Sequence, residues 1–214
     1  MSANALPSRL LVVTDRHQAA LPLEDIAGEA VAAGARWIWL RDRDLPAAER
    51  RALARRLRAL TRAHGARLSV GGDVALAADI AADGAHLAVG AAIAAARARL
   101  GPHALIGVSA HGVSDVAAAA AAGADYATLS PIFPTASKPG YGPALGVAAL
   151  AQAAPHGLPL LALGGITAER ADECLRAGAS GVAVMGEVMR AGGRPGGVRD
   201  MVQRYMAALA ATVV

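Results

Sequence analysis

The loop SPIFPTASKPGYG at residues 130–142 contains Lys138, the one lysine among 21 lysine and arginine residues. Thr135 and Ser137 add two hydroxyl groups near this ammonium group, and the prolines and glycines of the loop restrict and bend the chain. Hydroxyl and ammonium groups in a semi-rigid loop are typical of a site that binds an anion such as phosphate. The alternative is a stiff surface loop in which Lys138 has no special role.

Glycines end two apolar segments near the C-terminus. PLLALGG ends in Gly164 and Gly165, and GVAVMG ends in Val184, Met185 and Gly186. Glycine leaves backbone N–H groups unobstructed, so an anion can approach them closely where a helix begins. We therefore predict a phosphate site at these two turns. The alternative is that the glycines only permit tight turns.

Two arginines follow another apolar segment. Arg41 and Arg43 are two positions apart, so on a strand their side chains point the same way. They would then bind a second charged group of a ligand. Ion pairs with Asp42, Asp44 or helix carboxylates explain the two arginines equally well.

A recurring pattern predicts the elements that position these residues. AVAAGARWIWL, IAADGAHLAV, AAAGADYATLS and LRAGASGVAVM each run from an alanine-rich helical pattern through a glycine turn into an apolar segment. This is the order of a helix followed by a buried parallel strand. Strands are predicted over residues 9–15, 37–42, 67–72, 84–89, 105–111, 126–132, 159–165 and 181–186.

Eight strands that alternate with helical patterns predict an α/β fold, a (β/α)₈ TIM barrel, as one domain over residues 1–214. A doubly wound open sheet is the alternative, but no GxGxxG or GxxxxGK[ST] motif follows the first strand. In a barrel the carboxyl ends of all strands surround one mouth, where the polar and glycine residues described above would meet.

Composition limits the classes of function. The net charge is +4, but the arginines are spread along the chain and aromatic residues make up only 3%. RALARRLRALTR reads as the solvated face of an amphipathic helix, so a nucleic-acid partner is not favoured. The single cysteine, Cys174, excludes an intrachain disulfide, and no apolar run reaches membrane-spanning length. These features predict a cytoplasmic protein with no membrane partner, and they leave a homo-oligomer open.

The motifs together resemble one family. ADYATLSPIFPTASKPGYGPALG, IGVSAHG, ADGAHL and LPLLALGGIT, followed by AGASGVAVMG, are similar to the thiamine phosphate synthase and TenI family of thiamin biosynthesis, a (β/α)₈ barrel family. The resemblance covers nearly the whole chain. It implies that Thr135, Ser137 and Lys138 bind a diphosphate, that Ser109 contacts a pyrimidine diphosphate, and that Arg41 begins the RxK signature. Gly165 and residues 184–186 fall at the family's thiazole phosphate site.

The family resemblance implies two chemistries. A synthase couples an aminopyrimidine diphosphate to a thiazole phosphate, with loss of pyrophosphate and with Mg²⁺. A TenI-type tautomerase isomerises a thiazole carboxylate phosphate without a metal. The synthase pattern has two Mg²⁺ aspartates, but this chain has Gly72 and Ala91 at those positions, and RxK has become RxR. We therefore expect no metal ligands and no cofactor, with Mg²⁺ only if the protein is a synthase.

The tautomerase hypothesis has its own difficulty. The catalytic histidine of TenI proteins is replaced here by Pro131, which carries no proton. His86 and His111 are candidate proton carriers, but a structural or substrate-positioning role fits them as well. We expect first a TenI-like enzyme with a thiazole phosphate ligand. The alternatives are a synthase that also binds a pyrimidine diphosphate, and a non-catalytic barrel that binds thiazole or thiamin phosphates.

Overall fold

Eight parallel strands close into a barrel in which each strand pairs with the next along the chain and the last pairs with the first. The structure, a computed structural model, describes residues 5–135, 143–194 and 196–211. The strands are β1 (Leu10–Val13), β2 (Trp37–Leu40), β3 (Arg67–Gly71), β4 (Gly84–Ala88), β5 (Leu105–Ala110), β6 (Tyr126–Leu129), β7 (Leu160–Leu163) and β8 (Gly181–Val184). The predicted (β/α)₈ TIM barrel and its eight strands are confirmed. Each strand ends slightly before its predicted end, because the last residues leave the sheet to form the mouth.

Helices connect the strands on the outside of the barrel. They are α1 (Leu23–Ala32), α2 (Ala47–Ala63), α3 (Val74–Asp79), α4 (Ile93–Leu100), α5 (Val113–Ala121), α6 (Ala148–Ala153), α7 (Ala168–Arg176), α8 (Gly186–Ala191) and α9 (Gly197–Ala211). The sequence patterns do not single out α4, α6 and α8, which are six to eight residues long. No helix in the described ranges is long and apolar enough to cross a membrane.

Alternation along each strand divides the buried side chains into two layers. On β1, Leu10 and Val12 face the helices, whereas Leu11 and Val13 face the barrel interior. The outer layer joins the strands to the apolar faces of the helices. The interior layer is small and holds the large aromatic side chains of the strands.

Large and small side chains fit together inside the barrel. The Tyr126 ring lies over Gly107, where an added Cβ would be 2.1 Å from the phenol carbon Cζ. Trp37 packs edge-on against Tyr126 with the ring centroids 4.6 Å apart, and its indole N–H donates to the Ser69 hydroxyl at 3.0 Å. Gly107 and Ser69 therefore provide the space that the aromatic residues occupy.

His86 lies in the same interior and is fully buried. Its Nδ1 is 3.0 Å from the Tyr126 hydroxyl, and its Nε2 is 3.0 Å from the Ser109 hydroxyl. The Trp39 ring packs against the imidazole with centroids 3.8 Å apart. Burial, together with the nearby positive charge of Arg43, lowers the pKa of His86 to about 3. The folded protein therefore holds this imidazole neutral.

Two aspartates fasten the amino-terminal end of the barrel. The Asp83 carboxylate accepts from the Leu68 backbone N–H at 2.8 Å and pairs with Arg58 at 2.8 Å. The Asp125 carboxylate accepts from the Ile106 N–H at 2.6 Å and pairs with Arg97 at 2.7 Å. Each aspartate directly precedes one strand, β4 or β6, and binds an N–H group at the start of the strand before it, β3 or β5. Charged hydrogen bonds of this kind are stronger than neutral ones.

Replacing Asp125 with alanine should lower the free energy of unfolding by about 1–3 kcal/mol, because the Ile106 N–H loses its acceptor. Urea denaturation checks this change. The control is Asp172→Ala, which removes an exposed carboxylate paired with Arg176 on α7 and should change the free energy by less than about 0.5 kcal/mol. Equal losses in the two variants would contradict the role of Asp125.

The burial of His86 predicts acid sensitivity. The unfolded chain takes up a proton on this imidazole near its ordinary pKa of about 6.5, whereas the folded protein does so only near pH 3. Stability should therefore fall as the pH drops below about 6.5, by up to about 1.4 kcal/mol per pH unit from this group. Between about pH 4.5 and 6.5 this imidazole is charged only in the unfolded chain. Urea denaturation over that range should therefore give a shallower slope of unfolding free energy against pH for His86→Gln than for the unmodified protein. Parallel slopes for the two proteins would refute the prediction.

Candidate functional site

A pocket of about 960 Å³ opens at the carboxyl ends of the strands. Its size is at the upper end of the range for small-molecule sites. Most of the residues predicted from sequence meet there: it is lined by Arg41, Arg43, Ser109, His111, Thr135, Gly164, Gly165, Val184, Met185 and Gly186. Ser137 and Lys138 lie outside the described residues. Six strands, all except β3 and β6, contribute lining residues. The loop after β6 also lines the pocket, whereas the loop after β3 does not.

The arginines after β2 differ in their partners. Arg41 pairs with the buried carboxylate of Asp15 at 3.3 Å. Arg43 forms no hydrogen bond or ion pair with another residue of the described ranges. The predicted ion pairs with Asp42 and Asp44 are therefore wrong for both arginines.

Asp42 and Asp44 are engaged elsewhere. The Asp42 carboxylate accepts from the Thr14 hydroxyl and from the Arg16 backbone N–H. The Asp44 carboxylate lies 2.7 Å from the His17 ring and pairs with the Arg16 guanidinium. These contacts join the loop after β1 to the loop after β2, so both loops are held at the mouth.

Arg50, which the sequence analysis does not single out, fastens the ends of β2 and β3 to each other. It is 6% exposed and donates to the backbone oxygen of Asp42 at 2.9 Å and to that of Gly71 at 2.6 Å. Its third contact is the Asp73 carboxylate at 3.2 Å. Burial lowers the pKa of Arg50, and the two carboxylates nearby oppose that effect. A buried arginine that satisfies two carbonyl groups and one carboxylate fixes both loops.

The end of β3 does not fit the metal site that the family resemblance implies. Gly72 and Ala91 have no side-chain oxygen to offer as a ligand. Asp73, the adjacent carboxylate, accepts from the Leu76 N–H at 2.8 Å as the N-cap of α3 and pairs with Arg50. Within the described ranges no cluster of three His, Cys, Asp or Glu side chains is arranged to hold a metal ion. Mg²⁺ sites usually contain at least one or two carboxylates, so the residues at this end of β3 do not fit Mg²⁺.

His86 lies beneath the pocket and does not line it. Its contacts with Tyr126 and Ser109, and its pKa of about 3, favour the structural role over proton transfer near neutral pH. His111 does line the pocket. Its Nδ1 lies 3.0 Å from the backbone oxygen of Ser130, and because a carbonyl only accepts, Nδ1 carries a proton there. His111 remains the candidate for proton transfer.

The turn after β7 packs tightly against the chain after β6. An added Cβ on Gly164 would lie 2.8 Å from the Pro131 Cα, and one on Gly165 would lie 2.5 Å from the Pro134 oxygen. Both glycines have positive φ, 92° and 63°. Tight packing and backbone conformation are therefore sufficient reasons for these glycines, and phosphate binding by their backbone stays a prediction.

The turn after β8 carries a charge that sequence reasoning missed. The Arg190 guanidinium lies against Gly186, with its Nη1 2.5 Å from the position of an added Cβ, and it donates to the Gln18 side chain. Because residues four apart share a helix face, a helix that begins at Gly186 brings Arg190 over its first turn. The predicted phosphate site thus has a guanidinium beside it.

Comparison with known proteins agrees with this architecture. The family model described as thiamine monophosphate synthase matches residues 10–188. The thiamine-phosphate synthase of Methanoculleus marisnigri is 43% identical over 190 residues, which cover 87% of this chain and 89% of the relative. That of Roseiflexus castenholzii is 43% identical over 185 residues, which cover 84% and 80%.

A solved structure of thiamine phosphate pyrophosphorylase from Pyrococcus furiosus superposes with a TM-score of 0.81 at 29% identity, covering 94% of this chain and 95% of that one. A thiamine phosphate pyrophosphorylase structure from Bacteroides thetaiotaomicron, at 20% identity and a TM-score of 0.66, shows the same fold. The relatives are named as synthases, so the expected preference for a TenI-like isomerase is not supported. The chain belongs to the thiamine monophosphate synthase family of enzymes.

Proposed function

We propose that this protein joins an aminopyrimidine diphosphate to a thiazole phosphate and releases pyrophosphate, the alternative reaction expected from the sequence. The observation that carries the proposal is one pocket that collects arginines from two different strand ends. Arg41 and Arg43 stand after β2, and Arg190 stands after β8 beside Gly186. Two anionic substrates that bind together need such an arrangement, with one set of cations for each.

The chemistry of coupling suits these side chains. The carbon–oxygen bond to the diphosphate breaks, pyrophosphate leaves with the electron pair, and the thiazole nitrogen forms the new carbon–nitrogen bond. Negative charge on the leaving group grows during the reaction, and guanidinium groups fixed near it stabilise that charge. Replacing the carbon–oxygen bond with the carbon–nitrogen bond requires no proton transfer.

Isomerisation of a thiazole, in contrast, removes a proton at one atom and delivers one at another. Pro131 has no proton to move, and His86 is buried and neutral. His111 alone among the three positions discussed has an ionisable ring at the pocket. The residues thus support coupling better than tautomerisation. The cytoplasmic location, the single domain and the homo-oligomer stay predictions.

Purified protein incubated with aminopyrimidine diphosphate and thiazole phosphate should form thiamin phosphate and pyrophosphate, detected by chromatography in equal amounts. Reactions with excess Mg²⁺ and with EDTA run in parallel. A separate reaction contains only the thiazole carboxylate phosphate. Isomerisation of that compound, without thiamin phosphate formation in either coupling reaction, would overturn the proposal in favour of the TenI-like activity.

Mutation should separate the binding of the two substrates, with Arg41 serving one of them and Arg190 the other. Arg41→Met should raise the KM for the pyrimidine diphosphate by about tenfold or more, since a charge-assisted hydrogen bond contributes about 1.5–3 kcal/mol. Arg190→Met should have the same effect on the KM for the thiazole phosphate. Each variant should leave the KM for the other substrate nearly unchanged.

The control for both variants is Arg56→Met, which removes an exposed guanidinium paired with Glu24 at 3.0 Å on the outside of the barrel. It should leave both KM values at the level of the unmodified protein. If each of the variants Arg41→Met and Arg190→Met raised the KM for both substrates to the same extent, the assignment of one substrate to Arg41 and the other to Arg190 would be wrong.

A further inference from the structure

Two side chains from the end of β2 occupy space that would belong to residues at the end of β3. An added Cβ on Gly71 would lie 2.7 Å from the Trp39 Nε1 and 3.0 Å from the Leu40 oxygen. An added Cβ on Gly72 would lie 2.6 Å from the Arg43 Cζ and 2.7 Å from its Nε. Gly72 also has a φ of 68°. Neither position admits a larger residue while Trp39 and Arg43 stay where they are.

The Trp39 indole covers Gly71 from the barrel interior. It is 4% exposed, and within the described part of the chain its Nε1 is the buried side-chain nitrogen or oxygen atom that lacks a hydrogen-bond partner. Its ring packs on the imidazole of His86. Trp39 and Arg43 line the pocket in place of β3, so β2 forms this side of the mouth.

Arg43 is set apart from its neighbours by its lack of a counter-charge. Arg41 pairs with Asp15, Arg50 pairs with Asp73, and Arg16 pairs with Asp44. Arg43 forms no comparable contact with any residue in 5–135, 143–194 or 196–211. Its side chain is exposed and lines the pocket. The charge is therefore available to a ligand.

The four carboxylates that line the pocket are already engaged. Asp15 and Asp44 form ion pairs, and Asp42 accepts two hydrogen bonds. Glu187 accepts from the Tyr205 hydroxyl at 2.6 Å. A divalent cation beside Gly72 would meet the guanidinium of Arg43 and no free carboxylate. The charge of Arg43, which is unpaired within the described residues, therefore favours an anion bound to the guanidinium itself, with no cation between them.

We propose that Arg43 supplies, over Gly72, the positive charge for the diphosphate group, so that this protein binds its diphosphate substrate without a divalent cation. The inference rests on the proposed coupling reaction for the identity of the substrate. A guanidinium presents up to two parallel N–H donors to phosphate oxygens and remains charged at every working pH. It would also stay in contact with pyrophosphate as the carbon–oxygen bond breaks.

Calorimetric titration with inorganic pyrophosphate tests the inference apart from turnover. The unmodified protein should bind pyrophosphate in EDTA, and excess Mg²⁺ should not tighten binding. Arg43→Met should weaken binding in EDTA by about 10- to 100-fold, which corresponds to the loss of one charge-assisted contact. Arg43→Lys should recover part of the affinity, because it restores the charge without the planar donor pair.

Arg51→Met is the matched control, since Arg51 is an exposed arginine on α2 that pairs with Asp79 at 3.6 Å. It should bind pyrophosphate as the unmodified protein does. Binding by the unmodified protein only with Mg²⁺, or unchanged affinity of Arg43→Met in EDTA, would overturn the inference.

The outcomes also separate this inference from the proposed function. Pyrophosphate binding in EDTA that depends on Arg43, in a protein that forms no thiamin phosphate, supports the inference and overturns only the coupling reaction. Thiamin phosphate formation that stops in EDTA overturns the inference and leaves the coupling reaction in place.

Discussion

Closure of eight parallel strands into one ring is the constraint on which the rest of this structure depends. All strands point the same way, so residues far apart in sequence meet at one rim. Arg41 and Gly186, which are separated by most of the chain, line the same pocket. The opposite rim carries Asp83 and Asp125, whose carboxylates join neighbouring strands. Ligand-facing groups and strand-fastening groups therefore lie at opposite ends of the barrel.

The β2 and β3 ends form one unit at the mouth. Arg50 binds a backbone oxygen from each, and the residues of β2 fill the space over Gly71 and Gly72. Trp39 and the Leu40 backbone leave no room for a side chain at position 71, whereas at position 72 the positive φ of 68° disfavours a side chain and the exposed Arg43 guanidinium occupies the nearby space. At the end of β3, a glycine stands where the family resemblance implies an aspartate, and the guanidinium of Arg43 lies over it.

The sequence predicts the barrel well because the signals are local. Apolar runs, four of them within the repeated helix, glycine turn and strand pattern, identify all eight strands, and strand ends identify most of the pocket, including Arg43, Ser109 and Gly165. Contacts between different loops are not local, so Arg41 pairs with Asp15 rather than with a neighbouring aspartate. The sequence does not predict roles for Arg50 and Arg190 for the same reason. Each lies in a helix like many other arginines of the chain, and only the fold brings the Gly71 oxygen to Arg50 and Gly186 to Arg190. The family resemblance assigned Ser109 to a contact with the pyrimidine diphosphate, and the relatives' names shifted the expected reaction from isomerisation to coupling.

The aspartates at the amino-terminal rim have a consequence for how such a barrel diverges. Asp83 and Asp125 act on the strands through bonds that involve no residue of the pocket. Substitutions at the mouth therefore leave these contacts intact. The ligand-binding chemistry of such a barrel can change while Asp83 and Asp125 keep neighbouring strands joined.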